Sequence, residues 1–408
     1  MYNSCAARDK DSYWLRRAYE VQTHFWGDDV TLSYEETTQA TVANREQLKI
    51  IRDLVTKKLS RIAPLIDKID CEMGSLRSES NKTMTNIFVK RMKSLSKKCN
   101  RRMVQYAGDI IKQATEICGP PPCRFAAVGL GSIAREETTP YSDLEFLFLV
   151  ENNDSLVYFQ RLAVTVYFII GNLQETDLKY MNIEELNRDG KWFSDASVSG
   201  FKIDGLQKKA GNIPTGNGTE RQQDKFIKTV SEMAEMYRQV FLYPDGEESK
   251  IGDLTAMLSS TVLLYGDRRM YDQFVSQISS VKPSESRTTA SKAMMRSDIE
   301  KFHYRPDETM THIKSLKMDF YRFPSLMTLD LKILHNIIGT SVWETLDTLL
   351  KHNFLSQTVW HSLRVILSIS IFTRLSAYSH HSSQDDRMTV MEQIELSKTS
   401  LGHFLESF

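Results

Sequence analysis

A glycine-serine pair and two acidic residues are the groups in this chain whose spacing could do chemistry. Gly131-Ser132 follows the apolar run 124–129, and ten residues separate Ser132 from Asp143, which with Glu145 heads a second apolar run. On a strand, residues two apart face the same side, so these carboxylates would repel each other without a cation. Glycine allows a ligand to approach the backbone, and a helix start offers N–H groups to an anion. We predict a phosphate cradle beside a divalent-metal site.

The expected cofactor is Mg²⁺ or Mn²⁺. Carboxylates with open coordination positions are typical Mg²⁺ ligands, and Mg²⁺ pairs with triphosphates. A phosphate cradle next to a two-carboxylate metal site is the minimal equipment for phosphoryl or nucleotidyl transfer. A Gly-Ser turn or an Asp-x-Glu pair is by itself common in structural loops and strand edges. Their combination in strand–turn–helix–strand order predicts an enzyme.

The stretch 131–145 also resembles a known signature. It reads Gly-Ser-Ile-Ala-Arg-Glu-Glu-Thr-Thr-Pro-Tyr-Ser-Asp-Leu-Glu. It is similar to the nucleotidyltransferase motif of the DNA polymerase β superfamily, Gly-Ser followed by Asp-x-Asp/Glu on the next strand. More specifically, it resembles the branch of the bacterial PII-protein uridylyltransferase and its relatives of unassigned function. Segments 200–205, 211–217 and 316–324 resemble that branch too, so the resemblance covers about residues 120–340.

The resemblance implies roles for particular residues. Gly131 and Ser132 would hold the nucleoside triphosphate, and Asp143 and Glu145 would bind two Mg²⁺ ions. The superfamily adds a third carboxylate from a neighbouring strand, and Asp204 is our choice because it ends a strand-like run before a glycine. The competing acids are Asp177, Asp189 and Asp195.

Three basic residues are candidate nucleotide-binding groups, each with a structural alternative. Arg135, about one turn after Ser132, could reach a phosphate, or it could pair with Glu137 or Asp143. Lys317 and Arg322 flank an aromatic pair and could close over the triphosphate from the helical domain. Alternatively, these two belong to a solvated helix face. The family resemblance is what favours the nucleotide-binding role of Lys317 and Arg322.

The chain pattern predicts an α+β protein with three regions. Apolar residues at three- and four-residue steps indicate a helical N-terminal region, 1–119, which ends at a Gly-Pro-Pro-Pro sequence. A small α/β core, 120–219, follows, and the resemblance makes it a mixed-sheet nucleotidyltransferase core. An all-helical domain, 220–408, completes the chain. The predicted strands are 124–129, 144–150 and 198–204, and the predicted helices are about 11–25, 44–74, 83–118, 155–172, 220–242, 250–264, 267–280, 285–301, 324–338, 341–352, 355–378 and 386–405.

Composition narrows the classes of function. The 408 residues include 52 Lys plus Arg and 52 Asp plus Glu, and this zero net charge argues against a protein that coats polyanions. No apolar run is long enough for a membrane span, so no membrane partner is expected. The five cysteines have scattered spacings, which predicts free thiols in the cytosol or nucleus.

These features predict a nucleotidyltransferase of the EC 2.7.7 type. It would move a nucleoside monophosphate from an NTP, such as ATP or UTP, to an acceptor hydroxyl and release pyrophosphate. The relatives suggest a hydroxyl on a protein, hence uridylylation or adenylylation. Two alternatives stay open. One is a nucleic-acid or small-nucleotide acceptor, for which the basic helix face Lys90, Lys93, Lys97 and Arg101 would matter; the other is a non-catalytic interaction module that keeps the fold.

Overall fold

A computed structural model describes residues 16, 19–20, 23, 33–66, 68–69, 79–173, 175, 200–203, 226–242, 257–281, 285–302, 315–339 and 341–386 of the chain. In these ranges, helices surround one four-stranded mixed sheet. The α+β class predicted from the sequence is therefore confirmed.

Two long helices lead into the sheet. Helix α1 spans Tyr34–Ile66 and helix α2 spans Glu79–Cys118. The sequence predicted that α1 begins near residue 44, but it begins ten residues earlier. The reason is a capping box: the Ser33 N–H donates to Glu36 Oε2 (2.8 Å), and the Glu36 N–H donates to Ser33 Oγ (3.2 Å). Gly119 follows α2 with a φ of +80°, and the helix ends there as predicted.

The sheet has the strand order β3-β2-β1-β4. Its strands are β1 (Phe125–Gly129), β2 (Phe146–Val150), β3 (Ile227–Thr229) and β4 (Val262–Gly266). Strand β1 lies antiparallel to both β2 and β4, whereas β3 lies parallel to β2. Strands β1 and β2 are buried along their whole length, as the two apolar runs predicted.

Strands β3 and β4 lie partly or wholly in the segments 220–242 and 250–264 that the sequence predicted as helix, and the predictions were wrong over these strands. Strand β3 is only three residues long, and a helix starts at once because Thr229 and Glu232 form a second capping box (Thr229 N to Glu232 Oε2, 2.9 Å). The residues of β4 form a short apolar run that fits either periodicity, and pairing with β1 decides the outcome. The predicted strand 198–204 is represented by Ile203, which forms one parallel bridge with Leu144.

The other helices are α3 (Gly131–Ala134), α4 (Leu156–Gly171), α5 (Val230–Leu242), α6 (Arg268–Ser279), α7 (Glu285–Phe302), a π-helix (Leu316–Tyr321), α8 (Arg322–Leu334), α9 (Val342–Lys351) and α10 (Gln357–His381). Most of them match predicted helices to within a few residues. Helix α5 begins ten residues later than predicted, and α3 and the π-helix match none of the predicted helices. The predicted helix 386–405 and most of 11–25 lie outside the described residues. Among the helices that the structure describes, none is long and apolar enough to cross a membrane.

The alternating side chains of β1 divide the core into two layers. Phe125 and Ala127 pack with α1, α2, α4 and α10, while Ala126 and Val128 pack with α5, α6 and α8. Helix α2 crosses β4 so closely that a Cβ on Gly108 would lie 2.5 Å from the Leu264 carbonyl oxygen. Strands β1 and β2 precede residue 219 and strands β3 and β4 follow it. The sequence analysis placed the boundary between the core and the helical domain at residue 219, and that boundary stays a prediction.

Candidate active site

The glycine turn and the acidic strand start are in direct contact. The Leu130 N–H donates to the Glu145 carbonyl oxygen (2.9 Å), and a Cβ added to Gly131 would overlap the Glu145 carboxylate. Gly131 has a φ of +62°, in the left-handed region that favours glycine. Two parts of the motif that are 14 positions apart therefore form one surface, which has no room for a side chain at Gly131.

The two acids flank a buried residue. Leu144 is 1% exposed, whereas Asp143 and Glu145 are half-buried, so both carboxylates lie on the opposite side of the strand start from Leu144. The Leu144 N–H donates to the Lys202 carbonyl oxygen (2.7 Å), next to the bridge with Ile203. Asp204 follows Ile203 in the chain, but it lies outside the described residues, as do Asp177, Asp189, Asp195 and the loop 211–218.

Helix α3 is shorter than the sequence suggested. It has four residues, so its dipole adds little to anion binding. Ser132 is half-buried in it, and the Ser132 carbonyl oxygen accepts from the Glu137 N–H (2.9 Å). This bond turns the chain out of the helix, and Glu136 takes a left-handed φ of +60° there.

The π-helix brings Lys317 into the electrostatic neighbourhood of Asp143. Burial and the charge of Arg374 lower the pKa of Lys317, while Asp143 and Asp386 oppose that shift. Arg322 opens the following helix α8. Its Nε is buried and has no hydrogen-bond partner within the described part of the chain. The structure therefore places Lys317 within electrostatic reach of Asp143, and Arg322 within electrostatic reach of Lys317.

Arg135 forms a structural ion pair. Its Nε donates to Glu137 Oε2 (2.7 Å), which also accepts from the Tyr321 (3.0 Å) and Ser325 (2.9 Å) hydroxyls. Burial alone would lower the pKa of Arg135. The charges of Glu137 and Tyr321, with a further contribution from Glu145, outweigh that effect and raise the pKa. Of the two interpretations of Arg135, the structure thus shows the pair with Glu137. Contact with a phosphate stays a proposal.

Polar residues on and just after α10 reach the segment that leads to the acids. With its amide nitrogen turned toward the nearby acceptors, Gln384 donates to Asp143 Oδ1 (3.1 Å) and to the Tyr141 carbonyl oxygen (2.9 Å). Arg374 Nη2 donates to Ser142 Oγ (3.2 Å). Sequence reasoning missed Gln384 and Arg374, because no local pattern links them to a motif more than 200 residues away.

The N-terminal helices hold the loop between the two halves of the motif. Ser96 Oγ donates to the Glu136 carbonyl oxygen, Cys99 Sγ donates to the Thr138 carbonyl oxygen (3.5 Å), and Arg52 Nη2 donates to the Pro140 carbonyl oxygen (3.2 Å). Burial raises the pKa of the Cys99 thiol to about 12, so this thiol stays neutral. Cys99, Cys118 and Cys123 are free cysteines.

The donor set at the strand start suits Mg²⁺. Two half-buried carboxylates beside the glycine turn match the way Mg²⁺ is often held, through one or two carboxylates plus substrate phosphates. Within the described ranges, no cluster of three or more acidic, His or Cys side chains could hold a metal. A third protein ligand would have to come from the rest of the chain, where Asp204 lies.

The comparisons with known proteins bear on the same part of the chain. Residues 79–197 match the family model described as "Putative nucleotidyltransferase DUF294". This match supports a nucleotidyltransferase family. The matched segment begins at the first residue of α2 and contains Gly131, Ser132, Arg135, Asp143 and Glu145, while Asp204 follows it. The comparison with curated proteins finds no match.

Proposed function

We propose that this protein is a Mg²⁺-dependent nucleotidyltransferase of the EC 2.7.7 type. The observation that carries the proposal is the contact between Gly131 and the Glu145 carboxylate. It brings the glycine turn, with its half-buried Ser132, next to a pair of acids that can hold a divalent cation. The family match over residues 79–197 supports the same activity.

The proposed reaction is attack of an acceptor hydroxyl on the α-phosphorus of an NTP. The acceptor oxygen forms a bond to that phosphorus, the bond from phosphorus to the bridging oxygen of the β-phosphate breaks, and pyrophosphate leaves. The hydroxyl proton passes to a carboxylate, for which Asp204 is the candidate. Bound Mg²⁺ would neutralise charge on the triphosphate and the leaving pyrophosphate. Asp143 and Glu145 hold the metal, and Gly131 and Ser132 seat the phosphates.

Basic side chains from the C-terminal helices complete the proposed phosphate site. Lys317 and Arg322 lie on consecutive helical segments. The positive charges of Arg374 and Arg322 both act to lower the pKa of Lys317. Positive charges gathered at short range in a half-buried place are stabilised by an anion. A triphosphate would supply that charge, so we expect its binding to favour the protonated form of Lys317.

The proposed acceptor is a Tyr, Ser or Thr hydroxyl of a protein in the cytosol or nucleus, as the resemblance to the PII-protein uridylyltransferase branch implies. The second candidate is a nucleic-acid acceptor, which one observation favours. Lys58, Arg61 and Lys98 stand together on α1 and α2, and the charge of Lys98 lowers the pKa of Lys58. Like charges crowded in this way attract a polyanion.

One lysine of the basic face predicted from the sequence forms an ion pair within the protein. Lys93 Nζ contacts Asp347 Oδ2 at 2.8 Å, whereas Lys90, Lys97 and Arg101 are exposed. Charge reversal of Lys97 and Arg101 should abolish RNA binding if RNA is the acceptor. If the wild-type protein does not bind RNA, this second candidate loses its support.

The test is calorimetric titration of ATP, UTP, GTP and CTP in the presence of Mg²⁺. We expect Mg²⁺-dependent binding of at least one nucleotide to the wild type, and its loss in the Asp143→Ala/Glu145→Ala double variant. The matched control is Glu151→Ala, since Glu151 follows the same strand but pairs with the exposed Arg124 (2.6 Å). No nucleotide binding by the wild type would contradict the proposal and favour the non-catalytic module.

A further inference from the structure

Arg374 is a buried cation held on three sides. It lies on α10 and is 4% exposed. Its Nη2 donates to Ser142 Oγ and its Nε donates to Tyr378 Oη, both at 3.2 Å. The guanidinium also stacks on the Tyr321 ring, with its central carbon 4.3 Å from the ring centre. A planar group with two fixed hydrogen bonds and a stacked face has one orientation.

Every hydrogen-bonding position of the Ser142 hydroxyl is occupied by a partner. Its oxygen accepts from the Thr139 N–H (2.9 Å) and from Arg374 Nη2 (3.2 Å), which takes both lone pairs. The contact between Ser142 Oγ and Thr139 Oγ1 (2.9 Å) must then have Ser142 as the donor. Ser142 is 2% exposed, so no solvent molecule can replace a lost partner without a rearrangement.

The hydrogen bonds from Arg374 and Thr139 converge on Ser142, the residue directly before Asp143. Ser142 precedes Asp143, and Leu144 follows it with its own bond to Lys202. Thr139 already closes the turn through the bonds to Ser142, so the turn itself does not require a guanidinium. A buried guanidinium is costly unless other groups stabilise its charge. Tyr378, Tyr321 and Asp386 do so for Arg374, and its added hydrogen bond to this turn points to a task beyond closure of the loop.

We infer that Arg374 is a positioning residue that, through Ser142, orients the Asp143 carboxylate for metal binding. This inference rests on the proposed function, in which Asp143 holds Mg²⁺. Partners in the outer shell of a metal site orient the ligands, and their loss weakens metal binding. Arg374 makes no contact with the metal in this scheme; it acts through the adjacent residue.

Arg364 provides a matched control on the same helix. Its guanidinium stacks on the Trp360 ring at 4.2 Å, much as that of Arg374 stacks on Tyr321, but Arg364 is half-buried and ten residues away from Arg374. Lysine keeps the charge at either position but loses the planar fork. Any loss that follows only Arg374→Lys therefore reports on the contact with the motif.

The experiment measures Mn²⁺ affinity by electron paramagnetic resonance in the presence of ATP, UTP, GTP or CTP, whichever the wild type binds most tightly, together with the melting temperature of each variant. We expect Arg374→Lys to weaken Mn²⁺ binding about tenfold or more, and Arg364→Lys to leave it unchanged. Ser142→Ala should cause a similar loss, and the Arg374→Lys/Ser142→Ala double variant should be no worse than the single variants. Ser142→Ala carries the test if Arg374→Lys does not fold.

The outcomes separate the inference from the proposed function. If the wild type binds Mn²⁺ with that nucleotide and the Arg374→Lys and Ser142→Ala variants bind it equally well, the inference is overturned and the proposed function stands. Equal weakening by Arg364→Lys would also overturn the inference, because the effect would then be general destabilisation. If the wild type does not bind Mn²⁺ with any of the four nucleotides, the proposed function and the inference both fail.

Discussion

The N-terminal and C-terminal helices hold the same loop, 135–142, by different means. Helices α1 and α2 donate to main-chain carbonyl oxygens, those of Glu136, Thr138 and Pro140. The C-terminal helices contact mainly side chains, although the Val342 N–H of α9 also donates to the Arg135 carbonyl oxygen (3.1 Å). Tyr321 and Ser325 donate to the Glu137 carboxylate, and Arg374 donates to the Ser142 hydroxyl.

The difference indicates a division of labour. Every residue of a loop has a carbonyl oxygen, so contacts to carbonyls fix the path of the chain regardless of the loop side chains. Contacts to charged and hydroxyl groups depend on those particular residues and influence their protonation. The N-terminal helices should therefore govern stability, and the C-terminal helices should govern nucleotide binding and the response to pH.

The largest effect is expected at Gly131, where both properties should change together. Gly131→Ala places a Cβ on the Glu145 carboxylate and a side chain at a φ of +62°. We expect a loss of about 1–3 kcal/mol in the free energy of unfolding and loss of Mg²⁺-dependent nucleotide binding. Chemical denaturation and calorimetry would measure the two.

Gly119 is the control for that substitution. It has a φ of +80°, but a Cβ there meets nothing within 4 Å. Gly119→Ala therefore reports the cost of the backbone angle alone, about 1 kcal/mol, and should leave nucleotide binding intact. If Gly131→Ala behaved like Gly119→Ala in both measurements, the contact between the turn and Glu145 would not matter for binding.

The next effect is a pH dependence of stability that originates in the C-terminal helices. Burial, helped by the charge of Asp298, raises the pKa of Asp330 on α8 to about 8. Between pH 4 and 8 the folded protein keeps this proton and the unfolded chain loses it. Stability then falls as pH rises, by at most about 1.4 kcal/mol per pH unit.

Asp330→Asn should remove this slope, because the amide does not titrate. We expect the free energy of unfolding of the variant, relative to the wild type, to increase steadily between pH 5 and pH 8. Denaturant titrations at several pH values would show it. Parallel curves for the two proteins would mean that Asp330 ionises normally and that the C-terminal helices do not set the pH response.

A smaller effect is expected from Arg52 on α1. Its guanidinium binds the Glu175 carboxylate and the Pro140 carbonyl oxygen and lies 4.1 Å from the centre of the Tyr141 ring. Arg52→Met should lower the free energy of unfolding by about 1–3 kcal/mol and leave nucleotide affinity within about twofold. The control is Arg61→Met, an exposed site on the same helix, with an effect within about 0.5 kcal/mol. A large loss of affinity without a loss of stability would break the proposed division of labour.

The smallest effect is expected where the two helical regions meet at the surface. The Lys93–Asp347 pair (2.8 Å) links α2 to α9, with side chains 32% and 42% exposed. Asp347→Asn should cost less than about 1 kcal/mol, and its effect should add to that of Arg52→Met. A double variant much worse than the sum would show that the two regions act as one unit.

The parts predicted well were those with strong local signals. The apolar runs that became β1 and β2 and the Gly-Pro stop after α2 each lie within a few consecutive residues. Strand β4 was missed because a short apolar run fits a helix as well as a strand, and β3 was missed because its three residues, Ile-Lys-Thr, have no pattern of their own. Only hydrogen bonds from β2 and β1, which lie far away in the chain, decided their conformation. The capping boxes at Ser33 and Thr229 were readable signals that were overlooked.

The sequence by itself determined that a glycine turn and two acids stand within one short stretch, since their spacing is local and their chemistry follows from residue type. It also placed Lys317 and Arg322 as candidates through a resemblance. Only the tertiary structure decided that the Glu145 carboxylate lies on Gly131, that Arg135 pairs with Glu137, and that Arg374 reaches Ser142 from α10. Such contacts join residues that chain folding brings together through the packing of the helices on the sheet, and no local pattern encodes which partner they meet.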